Sequence, residues 1–284
     1  MKKVRIFTNS VSDLSPEWAE QEGITLIPDV IAFSPSEQFL NNIHISPPEL
    51  YRRLASAERL PTTSHPNIDQ YMQAFSSVRP DEEILCICLT SKMSGSFNTA
   101  STAAKLLKEQ GFSVPITVYD SLQVSFGLAM LAVQAARMAK NGSDIADICA
   151  MLDEKKSKIG VYFVMESLQN ARKGGRVGAI RVLAADLLNV KPVLMFRDGL
   201  VRDIGIVRGF QTALEKVIQY YRDRAALGGE VCIFHADRPE LANYVRQQIL
   251  AYDPSAKIRI EWVGAVIGIY TGAGCIGIAF WETP

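Results

Sequence analysis

Apolar runs rich in β-branched residues recur through the first half of the chain at 4–8, 24–33, 84–90 and 116–120, the lengths and composition of strands. Between them apolar positions return every three or four residues. That spacing predicts helices over 47–57, 67–78, 96–110, 124–141 and 143–156. The helix starts carry their own signals. Ser46 precedes Pro47, and proline suits a first helical position, where no N–H is needed. Ser143 is the expected cap of the last helix, with Asp144 and Asp147 complementing its dipole. Strand–helix alternation of this kind argues a parallel sheet covered on both faces.

After about Lys158 the rhythm changes. Strands are predicted at 160–164, 191–196, 200–207, 230–235, 258–263 and 276–281, with helices at 210–224 and 239–252. Asp198-Gly199 between two apolar runs is a strong hairpin signal. Hairpins mixed with helices read as α+β with a mixed or partly antiparallel sheet. The chain is therefore expected to be α/β in two domains, 1–157 and 158–284, divided at the charged stretch 153–158.

Charge and composition narrow the partners. Thirty basic and thirty acidic residues cancel, so no global field recruits nucleic acid or an anionic membrane. The 48% hydrophobic and 21% charged content is that of a soluble globular protein. No apolar run reaches the ~18 residues of a membrane helix, and Met1-Lys2-Lys3-Val4-Arg5-Ile6 lacks the apolar region of a signal peptide. A cytoplasmic location is expected. The five cysteines, Cys86, Cys88, Cys149, Cys232 and Cys275, sit mostly in apolar runs and read as buried structural thiols.

The candidate chemistry lies in four polar stretches: Thr8-Asn9-Ser10-Val11-Ser12-Asp13-Leu14, Pro61-Thr62-Thr63-Ser64-His65-Pro66, Ser91-Lys92-Met93-Ser94-Gly95-Ser96-Phe97-Asn98 and Ile267-Gly268-Ile269-Tyr270-Thr271-Gly272-Ala273-Gly274. They supply hydroxyls and backbone N–H groups without an evident base or metal-ligand cluster, which suits holding an anion. The first falls where a strand ends, the place of ligands in open α/β sheets; its plain alternative is that Ser12 or Asp13 caps a short helix near Pro16. The second is a hydroxyl loop stiffened by two prolines, or merely a rigid turn. In the third, Gly95 permits close backbone approach at a helix N-terminus. Ser94 as a nucleophile is the rival reading, but Met93-Ser94-Gly95 lacks the glycines of a nucleophile elbow. Gly272-Ala273-Gly274-Cys275-Ile276-Gly277 matches a dinucleotide fingerprint formally, yet precedes a strand rather than a helix and is rejected as one. Arg172-Lys173-Gly174-Gly175-Arg176 is a compact basic turn, and Asp120-Ser121 is most simply a helix cap.

Taken in order, these stretches resemble the DegV family of bacterial fatty-acid-binding proteins, from about residue 3 to residue 282. The family's T/D-S-x-x-D-L appears as Asn9 to Leu14 and its P-x-T-S-Q-P as Pro61 to Pro66. Its S-x-x-S-G-T/S-[YF] appears as Ser91 to Phe97, V-D-S as Tyr119-Asp120-Ser121, and K-G-G-R as Lys173 to Arg176. The resemblance implies a Rossmann-like first domain and one long-chain fatty acid in an interdomain tunnel. It also implies that the acid is presented to a separate fatty-acid kinase, which forms the acyl-phosphate, with no catalysis or cofactor of the chain's own. The implied carboxylate ligands are Thr62, Thr63, Ser94 and Tyr270, supported by Ser10, His65, Gly95, Asn98 and Thr271. Arg172, Lys173 and Arg176 are candidates for docking the kinase. Apolar candidates for the tunnel are Phe163, Met165, Leu168, Ile180, Leu183, Leu187, Leu188, Val193 and Met195. The chain departs from the family at Asn9, usually Asp, at His65, usually Gln, and at Tyr270, usually His. A tyrosine donates only a neutral hydrogen bond where a histidine can carry charge. The alternative function is a serine-dependent hydrolase or kinase-like enzyme acting on an acyl or phosphorylated small molecule.

Overall fold

The computed structural model describes residues 2–177, 180 and 189–283. Its elements run β1 (Lys3–Asn9), α1 (Pro16–Glu22), β2 (Ile24–Ile27), β3 (Val30–Ser34), β4 (Glu37–Leu40), α2 (Pro47–Leu54), β5 (Thr62–Ser64), α3 (Ile68–Ser76), β6 (Glu82–Cys88), α4 (Ser96–Glu109), β7 (Ile116–Asp120), α5 (Ser125–Lys140) and α6 (Ile145–Lys155). There follow β8 (Ile159–Val164), α7 (Gln169–Lys173), β9 (Val190–Arg197), β10 (Leu200–Arg208), α8 (Phe210–Arg224), β11 (Glu230–His235), α9 (Pro239–Tyr252), β12 (Lys257–Trp262), α10 (Ala265–Thr271) and β13 (Ile276–Trp281).

Three sheets result. A four-stranded parallel sheet has the order β2-β1-β6-β7, and a six-stranded mixed sheet the order β10-β9-β8-β13-β11-β12. The third, β4-β3-β5, is small and antiparallel. The expected α/β class with a parallel and a mixed sheet is the one observed.

Side-chain alternation along each strand decides what each face covers. On β1 and β6, Phe7, Ile84, Cys86 and Cys88 pack with Tyr71 and Phe75 of α3 and with Ala100, Ala103 and Leu107 of α4. The intervening Ile6, Leu85 and Ile87 face the other way, into a larger core. That core is shared with Val161 and Phe163 of β8 and Leu194 and Phe196 of β9 in the mixed sheet. Helix α5 lies between the two sheets, contacting β1 and β6 on one side and β8 and β13 on the other. It is apolar almost all round, as a helix with no solvent face must be, and Phe126 stacks on Phe234 with centroids 5.1 Å apart. The far face of the mixed sheet carries α8 and α9 over Tyr162, Val164, Val193 and Ile278.

Several local readings need correction. The run 24–33 is two strands in two different sheets, because Pro28-Asp29 turns the chain out of the parallel ladder. The α6 cap is Asp144, whose side chain accepts from the Asp147 N–H at 2.9 Å, and not Ser143. The cap of α1 is Ser15 rather than Ser12 or Asp13. Asp120 caps no helix: it accepts from the N–H groups of Ser91 and Leu122, both at 3.1 Å, and so ties two loops together. Cys86 and Cys88 share a strand face as expected, with sulfurs 3.8 Å apart, but Cys149 is only half-buried.

The C-terminal half holds a buried acid whose role is structural. Asp253 accepts from Tyr221 Oη, the Gly228 N–H and Ser255 Oγ, each at 2.8 Å, joining the ends of α8 and α9. Burial alone would raise its pKa, yet these donors outweigh it and hold the carboxyl below the usual range. Replacing Asp253 with alanine leaves the buried Tyr221 hydroxyl without this partner and should cost about 2–4 kcal/mol in urea unfolding. The stabilisation should be complete above about pH 4 and fade as pH falls through the folded-state value. Asp253→Asn should remove that acid dependence, and an unchanged acid limb would refute the assignment.

Candidate functional site

The carboxyl ends of β1 and β6 and the β7–α5 connection converge on the gap between the parallel and mixed sheets, the position at which open α/β sheets meet ligands. A cavity of about 420 Å³ occupies this gap. Its walls are largely apolar: Val11, Leu89, Val161, Phe163, Met165, Ile180, Phe196, Phe234 and Val266. One region is polar, formed by Thr63, Ser64, His65, Ser91, Lys92, Ser94, Gly95, Arg176, Tyr270 and Thr271. Of these, Ser64, Ser91, Lys92 and Arg176 are exposed, so the polar region opens toward solvent while the aromatic walls are buried.

Thr63 and Tyr270, 207 residues apart, are hydrogen-bonded to each other across the polar region. Thr63 is placed by β5, paired to Ile31 of β3. Tyr270 sits in the last turn of α10, in a stretch for which no element was predicted. The tyrosine ring fits because position 174 is glycine. A Cβ there would lie 2.4 Å from Tyr270 Cε1, and Gly175 turns the chain with φ +68°. The basic turn thus closes against the tyrosine, and the Arg176 guanidinium lies 5.5 Å from the ring centroid while donating to Gly174 O at 2.7 Å.

Ser94 precedes α4, and its Oγ accepts from the Ser96 N–H at 3.2 Å and lies 3.1 Å from Ser96 Oγ. His65 lines the same cavity, but its Nε2 is paired with Thr99 Oγ1 at 3.0 Å, and burial lowers its pKa. The ring packs so tightly over Gly95 that a Cβ at that glycine would lie 3.0 Å from His65 Cε1. His235 accepts the Arg238 N–H and His44 the Leu40 N–H. Each histidine is therefore engaged away from Ser94. Among the described residues no group of three or more His, Cys, Asp or Glu could hold a metal, and no helix is long and apolar enough to cross a membrane.

The structure thus brings Thr63, His65, Ser94, Gly95, Tyr270 and Thr271 to one cavity and leaves other candidates outside it. Thr62 is exposed, because adjacent strand residues point to opposite faces. Asn98 is exposed on α4. Ser10 is buried beneath the cavity wall, donating to Asp29 Oδ2 at 2.8 Å. Arg172 and Lys173 are exposed on α7, and Arg176 alone of the basic trio reaches the cavity. Among the apolar candidates Phe163, Met165 and Ile180 line it. Val193 and Met195 have the opposite strand parity and pack under α8 and α9, and Leu168 packs against the large core outside the lining. Leu183, Leu187 and Leu188 lie outside the described residues. Sequence reasoning missed Asp29, an acid in the cavity wall; its signal was a charge beside proline inside an apolar run.

The loops are fastened across the gap. Lys92 Nζ donates to Asp198 O at 2.8 Å and Thr90 Oγ1 to Gly199 O at 3.3 Å, joining the β6–α4 loop to the β9–β10 hairpin. Tyr51 of α2 donates to Val263 O at 3.0 Å, just before α10.

The sequence and the fold are similar to those of known proteins. A DegV domain-containing protein of Halalkalibacterium halodurans is 29% identical over 285 residues, covering 99% of each chain. The crystal structure of DegV, a fatty acid binding protein from Bacillus subtilis, superposes with a TM-score of 0.89 at 26% identity over 100% of both chains. That of a stearic acid-binding protein from Eubacterium ventriosum gives 0.88 at 26% identity, over 98% of this chain and 97% of the other. The family model described as "Uncharacterised protein, DegV family" matches residues 3–283, and the chain belongs to the DegV family.

Proposed function

We propose that the protein binds one long-chain fatty acid in the cavity between the sheets, with the carboxylate at Thr63, Ser94 and Tyr270, and presents it to a separate fatty-acid kinase. The observation that carries this reading is the Thr63–Tyr270 pair at the solvent end of an apolar cavity. Each hydroxyl has one proton, so when one donates to the other, the second keeps its proton for an anion. Ser94 Oγ, already accepting from the Ser96 N–H, can likewise donate outward. Arg176 over the Tyr270 ring supplies the positive charge that tyrosine itself lacks.

The acyl chain accounts for the rest of the cavity. About sixteen methylenes at ~0.8 kcal/mol each give a gross driving force of ~13 kcal/mol, from which the ordering costs of binding are subtracted. The carboxylate cannot follow the chain into the dry part without donors, so it stays at the hydroxyl end. Fatty-acid binding in the two structurally similar proteins supports the ligand class. Acyl-phosphate formation needs ATP and a metal, and in this reading that chemistry belongs to the kinase. Exposed Arg172 and Lys173, adjoining Tyr270 through the glycine turn, form the surface proposed to meet it.

Organic extraction of the purified protein followed by mass spectrometry should yield close to one fatty acid per chain. A lipid-free protein that takes up no added fatty acid would sink the reading, and an acyl group covalently attached to Ser94 would favour the hydrolase alternative.

Tyr270→Phe keeps the ring over Gly174 and removes only the hydroxyl. Fatty-acid affinity should fall by about 1.5–3 kcal/mol, the value of a hydrogen bond to a charged group. Tyr270→His should be tolerated and should bind more tightly below about pH 6.5, where imidazole is charged. Fluorescence titration of all three proteins at two pH values checks both statements, and unchanged affinity in Tyr270→Phe removes this side chain from the head-group site.

A further inference from the structure

The cavity wall contains a carboxyl group that a fatty-acid tunnel does not need. Asp29 follows Pro28 after β2 and immediately precedes Val30, which pairs with Ser64 of β5. Ile31 pairs with Thr63 one step further along. Continuing that antiparallel register one step the other way sets Asp29 opposite His65. By strand alternation Asp29 then shares the face of Ile31 and Thr63. Asp29, Thr63 and His65 line the cavity, together with Ser64 between the latter two.

Among the described residues no cation is ion-paired with Asp29. It is 3% exposed. Ser10 Oγ donates to its Oδ2 at 2.8 Å and accepts its N–H at 2.9 Å, and the backbone N–H groups of Ser10 and Val11 also turn toward it. A second buried acid, Asp13, bonded by Ser125 Oγ at 2.5 Å and itself raised by burial, interacts repulsively with it. Asp29 also acts electrostatically on Tyr71 of α3, raised by burial, and on Cys88 of β6, raised by its hydrogen bond with Cys86 and by burial; both are neutral at ordinary pH. His65, across the strand pair, is kept neutral by its own burial. Burial pushes the Asp29 carboxyl up to about 7, against the lowering by its hydrogen-bond donors. With so little direct exposure, what changes on binding is the medium beside the carboxyl: an alkyl chain filling the cavity is less polar than water and disfavours the charged form further.

We propose that Asp29 is a proton-carrying wall of the ligand cavity: the acyl chain is accepted only with Asp29 as the neutral acid, so binding above neutral pH takes one proton from solution. This rests on the fatty-acid reading. The balance is one ligand carboxylate, one Asp29 carboxylate and one proton on the left, and the complex with carboxylate ligand and Asp29 carboxylic acid on the right. By linkage, affinity falls about tenfold per pH unit above the free protein's Asp29 pKa.

The test is calorimetric titration of delipidated protein with sodium dodecanoate at pH 8, in phosphate and in Tris, whose ionisation heats differ. The wild type should take up close to one proton per ligand bound, and its affinity should fall about tenfold between pH 7.5 and 8.5. Asp29→Asn, and separately Asp29→Leu, should bind without proton uptake and with no pH dependence over that interval. Binding by the wild type without uptake overturns the proposal while leaving the fatty-acid reading standing. Uptake that persists in the variants also overturns it, because the proton then belongs to the ligand or to Asp13. Failure of dodecanoate to bind any of the three proteins at pH 6 or pH 8 overturns the fatty-acid reading and this proposal with it.

Discussion

The two faces of the six-stranded sheet have different tasks, and the cavity between the sheets depends on that division. Tyr162 and Val164 of β8 point beneath α8 and α9, whereas Val161 and Phe163 point at α5 and the cavity. A one-residue slip in the β8–β13 or β8–β9 register would exchange the two sets. The register is therefore held from both sides, by a close-packed helical layer on one face and by α5 on the other. Gly277 contributes to this close fit: a Cβ there would lie 2.5 Å from Phe163 Cβ and from Phe234 Cζ. The aromatic wall of the cavity can approach β13 only because that position has no side chain.

Helix α5 explains why the gap is a cavity rather than a cleft. It touches both sheets, so it fixes their separation along its own length, and the space left beyond its N-terminus is where Val124 and Ser125 meet the lining. Ser125 there holds Asp13, itself in the left-handed region at φ 58°. Polar groups buried at the carboxyl end of β1 bond to each other in place of water: Asn9 to Tyr71 at 2.6 Å and Asn41 to Ser10 O at 3.3 Å. These bonds tie the end of β1 to α3 and to the segment after β4. Buried polar bonds of this kind set a specific orientation, whereas apolar surfaces alone slide more readily.

Legibility in the sequence followed the strength of local periodicity. Strands such as Ile116–Asp120 and Glu230–His235 and helices such as Phe210–Arg224 were readable because their apolar spacing and flanking residues agree. Which face of a strand meets the cavity was not readable. Both parities of β9 are apolar, so Val193 and Met195 looked as suitable as Leu194 and Phe196, and only the packing of α8 separates them. Helix α10 was hidden by glycines. Gly268 is required because Tyr51 Oη would lie 2.6 Å from its Cβ, and Gly272 ends the helix at φ +68°, a composition that in isolation reads as a loop. Strands β4 and β5 are short and polar, stable only as partners of β3, so nothing local announces them. The hydroxyl motifs were legible as chemistry; their convergence was not, because Thr63 and Tyr270 meet only through the packing of α10 beside β3 and α7.

The same packing bears on the proposed role of tyrosine at position 270. A charged donor on α10 would be one way to neutralise a ligand carboxylate; in the proposed site the task is divided. There the tyrosine hydroxyl, bonded to Thr63, gives direction, and the Arg176 guanidinium over its ring gives charge. His65 is excluded from that duty by its burial and its bond to Thr99. Separating charge from direction has a physical consequence. A guanidinium stays protonated throughout the physiological range, so attraction for the head group does not vary with pH as it would with an imidazole. In the proposed site, pH dependence of ligand uptake near neutrality comes instead from Asp29 in the cavity wall, whose charge is further opposed by the buried acid Asp13.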